Sequence, residues 1–144
     1  MRRFFIAGVV VSFLGLVVAC GGGSVAENKR ADEVRDSKDA ISGTVGSFYK
    51  RYEANAVAAD QSYKDRILRV SGFVATIGKG ILDEPYIDLA DENQAVVMRC
   101  SFPKRSEALL ANVSKGEAVL IQGRCKGFLV GTVVLEDCAI GVKE

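Results

Sequence analysis

Apolar side chains recur every three or four positions over residues 44–59 and then, from residue 66, every two. This change of period constrains the chain more than any other feature, because a helix buries one stripe whereas a strand buries alternate residues. Val45, Phe48, Tyr49, Tyr52, Ala56 and Ala59 form one face of an amphipathic helix, expected to pack on the sheet that follows. Residues 66–77 read as a long first strand with a bulge at Ser71-Gly72, and 78–85 as a loop. Residues 86–90 are a second strand, 91–93 a turn and 95–102 a third strand. Pro103 blocks further pairing, and 104–113 read as a short helix with Ala108, Leu109 and Val113 inward, stopped by Gly116. Residues 117–126 and 132–142 form the fourth and fifth strands around a turn at 127–131. The inward period places Val70, Val74, Leu89, Met98, Leu109, Ile121 and Leu135 in the core.

Five strands with one helix between the third and fourth is the arrangement of the OB-fold, a small Greek-key barrel. The expected class is mainly β: a five-stranded OB-fold barrel with an N-terminal helix and a short helix between strands three and four, spanning 44–142.

The N-terminus sets a location. Arg2 and Arg3 precede an apolar run over 4–18, too short for a bilayer span but suited to a secretory signal. The run ends in Val17-Val18-Ala19-Cys20 and is followed by Gly21-Gly22-Gly23-Ser24. This junction resembles the lipobox of bacterial lipoproteins, which implies a signal peptide over 1–19 and a diacylated Cys20 as the first mature residue. Residues 20–43 then read as the lipidated cysteine and a flexible, densely charged tether. Gly21 in place of an aspartate resembles the pattern of outer-membrane sorting, so the expected address is the cell envelope, facing the periplasm. Removing the signal changes 19 basic residues to 17 against 18 acidic ones, a net charge of −1. A nonspecific grip on nucleic acid usually shows a basic excess, and none is present overall.

The segments YEANAVAADQSYKDRILRVSGFV (52–74), MRCSF (98–102), KGEAVLIQGRCKG (115–127) and VVLEDCAI (133–140) resemble the tRNA_anti-like family of bacterial OB-fold proteins. The resemblance implies the fold more than a function, brings no catalytic residues and implies no cofactor. The chain has no histidine, which removes Ser-His-Asp and Cys-His systems and most zinc sites. The expectation is a non-catalytic binding or scaffolding module, with single-stranded nucleic-acid binding as the alternative. Its partners are then the membrane through the lipid, and an envelope protein, glycan or oligonucleotide as ligand.

Two sets of residues carry these expectations. Cys100, Cys125 and Cys138 match no zinc or redox spacing, and an oxidising compartment favours a disulfide. In an OB barrel the third and fifth strands are parallel neighbours, which favours Cys100–Cys138 over Cys125–Cys138. Ligands of such barrels sit on strands two and three between flanking loops, here Lys79, Tyr86, Asp88, Arg99, Lys126 and Phe128. Gly78-Lys79-Gly80 lacks the length of a phosphate loop and reads as a turn.

Overall fold

The computed structural model describes residues 22–141, so Cys20 and the expected signal peptide lie outside the described residues. The expected barrel forms. β2 (Ile67–Lys79), β3 (Pro85–Ala90), β4 (Val96–Ser101), β5 (Ala118–Leu129) and β6 (Thr132–Ile140) pair in the order β2-β3-β4-β6-β5, and β5 closes back on β2. β4 and β6 run parallel and the other barrel pairs antiparallel. Val70, Val74, Leu89, Met98, Ile121 and Leu135 are buried, as their alternation requires.

The helix expected over 44–59 is two helices. Thr44 caps α2 (Val45–Ala54) by accepting a hydrogen bond from the Ser47 amide. Asn55, with φ −162° and ψ 95°, ends it, and its side chain caps α3 (Ala56–Tyr63) by accepting from the Ala58 amide. Val45, Phe48 and Tyr52 of α2, with Ala59 and Tyr63 of α3, join the barrel core. Ser71-Gly72 is regular strand, and the extra residue is Ala75, between Val74 and Thr76. Gly72 instead admits the helix: a β-carbon there would stand 2.5 Å from Val45 Cγ2.

Three further expectations are corrected. The tether region contains α1 (Gly22–Asp36), which buries Ala31 and Val34 against the barrel. The fully buried Gln122 amide holds its end, donating to the Val34 carbonyl at 2.6 Å and the Ser37 carbonyl at 2.9 Å, while its oxygen accepts from Arg69. A short β1 (Ile41–Thr44) then adds in parallel to β2. The mid-chain helix is a 3₁₀ turn at Lys104–Ser106 followed by α4 (Glu107–Leu110). The tighter first turn rotates the inward direction by one residue, so Leu110 is buried and Leu109 is 52% exposed.

Candidate ligand-binding face

Register builds the face. Asp88 on β3 lies opposite Arg99 on β4, and Tyr86 lies between Gly78 on β2 and Ser101 on β4. Ile87, Leu89, Met98 and Cys100 alternate with them into the core, which leaves Tyr86, Asp88 and Arg99 on the outer surface. Arg99 Nε donates to Asp88 Oδ1 at 2.7 Å and Nη2 to Oδ2 at 2.9 Å, a two-pronged ion pair. Its guanidinium carbon lies 4.3 Å from the Tyr86 ring centre. The ring in turn leans over Gly78, where a β-carbon would stand 2.8 Å from the phenol oxygen. The Asp88 hydrogen bonds hold the Arg99 pKa above its ordinary range. Asp88 is nearly buried, whereas 47% of the Arg99 side chain is exposed. The arrangement is a flat cation, fixed from two sides and open on its outer surface.

Ser101 leads from this cluster into a recess of about 380 Å³, walled by Glu27 and Arg30 of α1 and by Glu84, Lys104 and Glu136. The other three expected residues are elsewhere. Lys79 Nζ ties Glu107 at 3.1 Å to Asp83 at 3.2 Å, joining the β2–β3 loop to α4. Lys126 pairs loosely with Glu136 at 3.7 Å and Asp65 at 3.9 Å. Phe128 points inward and stacks on Tyr52, with ring centres 5.7 Å apart and planes 12° apart.

The sequence profile of the tRNA_anti-like family matches residues 1–139. The chain belongs to the tRNA_anti-like family. No curated protein matches it. Among solved structures it is similar to a protein of Klebsiella pneumoniae subsp. pneumoniae MGH 78578 described as a candidate nucleic acid-binding lipoprotein, with 19% identity and a TM-score of 0.57 over 70% of this chain and 91% of that one. OBody AM1L10, seen bound to hen egg-white lysozyme, has 16% identity and a TM-score of 0.44 over 58% of this chain and 85% of its own.

In this tRNA_anti-like barrel, Ser101 beside Tyr86 was legible from register; Gly78 beneath it was not, because β2 continues to Lys79 where a loop was expected. Glu27 and Arg30 were not, because they reach the face only through the docking of α1. A larger recess of about 540 Å³ lies by the β3–β4 turn, lined by Val45, Phe73, Ala90, Val119 and Leu120 among others. It offers apolar contact, with Phe73 47% exposed, but none of its lining residues is basic. Cys125 lies buried at the helix-capped end, 3.2 Å from the Tyr52 hydroxyl, and burial pushes its thiol pKa up. That environment suppresses the thiolate a nucleophile needs. Among the described residues, no group of three or more Cys, Asp or Glu is arranged to hold a metal ion.

Proposed function

We propose that this protein is a lipid-anchored lipoprotein of the cell envelope whose OB barrel is a non-catalytic binding module. The anchor reading is supported by the Ala19-Cys20 junction at the end of the apolar run. The binding reading is carried by one observation: the Asp88-fixed Arg99 guanidinium lying over Tyr86 on the outer surface of β3 and β4. A planar group bound there stacks on a surface that needs no reordering, so little side-chain entropy is lost on binding. The adjoining recess carries Glu27, Glu84, Glu136 and Asp137 against Arg30 and Lys104. This acidic excess, with Arg99 already neutralised by Asp88, disfavours a polyanion and favours an uncharged chain such as a glycan.

The second reading is single-stranded nucleic acid, which the description of the Klebsiella protein and the stacking surface both favour. The test titrates the full chain in detergent with cell-wall oligosaccharides and with oligo-dT, each at low and moderate salt. The first reading expects oligosaccharide binding that is insensitive to salt and weakened about tenfold or more by Tyr86→Ala or Arg99→Ala. Oligo-dT affinity falling steeply with salt, with the same two variants impaired, establishes the second reading instead. Unchanged affinity for both probes in both variants refutes the proposed face.

A further inference from the structure

Strict alternation along β6 from the buried Leu135 would turn Cys138 outward, toward α1. The strand does not alternate there. Gln122 pairs with Ala139 and Arg124 with Glu136, so Gly123 on β5 stands opposite both Asp137 and Cys138. Asp137 is the extra residue of this bulge, with φ 53°, and its carboxylate turns to Arg30 of α1 at 3.3 Å. The inserted residue shifts Cys138 to the inner surface, where it is 1% exposed. Its sulfur takes the space a side chain at Gly123 would fill: a β-carbon there would stand 2.6 Å from Cys138 Sγ. Cys100, on the neighbouring parallel strand opposite Leu135, is completely buried and belongs to the same core cluster as Cys138. Cys125 is engaged elsewhere, with Tyr52.

We propose that Cys100 and Cys138 are joined by a disulfide across the parallel β4–β6 seam, formed while the barrel folds, and that Cys125 stays unpaired. The inference rests on the envelope reading above, since it requires an oxidising compartment. In the structure all three thiols are free, and Cys100 and Cys138 are both sealed in the core, so oxidation must precede closure of the barrel. The oxidant is a disulfide of a small thiol or of a thiol–disulfide oxidoreductase. One cysteine thiolate attacks it, giving a mixed disulfide and releasing one donor thiol. The second cysteine, deprotonated, attacks the mixed disulfide and releases the second donor thiol. Two cysteine thiols are oxidised and one donor disulfide is reduced to two thiols. The seam gains most from such a staple, because only three residue pairs register β4 against β6.

The test has two arms. In the first, the full chain is reduced, unfolded and refolded in a glutathione redox buffer, then mapped by non-reducing peptide mass spectrometry. The expected result is a Cys100–Cys138 cross-linked peptide, with Cys125 the one barrel cysteine alkylated after unfolding without reductant. The bridged form should melt about 10–20 °C above the reduced form. The Cys125→Ser variant should keep the link, and Cys100→Ser should lose it. A Cys125–Cys138 link, or Cys100 and Cys138 both free in wild type and in Cys125→Ser alike, overturns the proposal. In the second arm the same map is made on protein taken from intact cells with thiols blocked at lysis. A bridge in both arms supports the proposal and its compartment together. A bridge on refolding with free thiols in cells overturns the bridge in vivo, and assigns the failure to the envelope reading rather than to the geometry.

Discussion

Gln122→Leu tests whether α1 is part of the fold. The amide makes three hydrogen bonds from a fully buried position: from Arg69 Nε at 3.0 Å, to the Val34 carbonyl at 2.6 Å and to the Ser37 carbonyl at 2.9 Å. Leucine fills similar space but removes all three bonds, leaving the Val34 carbonyl only the longer bond from the Ser37 amide at 3.3 Å. The Val34 carbonyl is buried and has the largest desolvation penalty, about 1–3 kcal/mol; Ser37 and Arg69 are part-buried and regain some water. A total of about 2–4 kcal/mol follows, unless α1 lifts off first. Lifting off re-exposes Val34 and Ala31, which by itself costs about 2–3 kcal/mol, so the two routes converge on one range. Urea unfolding gives the magnitude. Trypsin cleavage at Lys29, Arg30 and Arg35 under native conditions reports release of the helix, and should quicken by at least tenfold. A stability loss below about 0.5 kcal/mol with unchanged cleavage would refute the docked helix and restore a plain tether.

Two other outcomes are expected. Tyr52→Phe removes the hydroxyl that meets Cys125 at 3.2 Å but keeps the stacking on Phe128, so thermal melts should show a loss of about 1 kcal/mol and no change in fold. Cys20→Ser should leave an uncleaved, unlipidated precursor; an unchanged mature mass in the mass spectrometer would sink the anchor reading.

What was legible in the sequence divides by mechanism. The barrel strands announced themselves because each buries alternate residues on a continuous register, and Met98, Ile121 and Leu135 follow from that rule. α1 did not announce itself. Among its described side chains only Ala31 and Val34 are deeply buried, too few for a periodic stripe, and it is fastened by side chains distant in sequence: Gln122, Asp137 and Arg105. Arg105 reaches both Asp32 and the Asn28 carbonyl, contacts that no local propensity predicts. The break at Asn55 was visible in retrospect, because a short polar side chain between two apolar turns can end one helix and cap the next.

The candidate face shows how far alternation can be pushed. Tyr86, Asp88 and Arg99 were brought together correctly because the pairing of Asp88 with Arg99 and Tyr86 with Ser101 is regular over that stretch. Phe128, expected in the turn at 127–131, lies instead on β5, which runs to Leu129, and one extra residue turns it inward. Counting by twos from the buried Cys125 sends Phe128 outward, but β5 advances two positions, Cys125 to Gly127, while β6 advances one, Leu135 to Val134. Lys126 is therefore an inserted residue, and Gly127 at φ 111° accommodates the kink. Beyond the bulge the parity is reversed, so Phe128 opposes the buried Val133 and stacks on Tyr52. The bulge at Asp137 acts in the same way on β6, carrying Cys138 from the α1 side to the Cys100 side. Each bulge trades a ladder pair for a change of face. One sends an aromatic ring to cap the core, and the other puts Cys138 in the same core cluster as Cys100. A period of two reads a strand correctly up to its first bulge, and in this barrel Phe128 and Cys138 each lie beyond one.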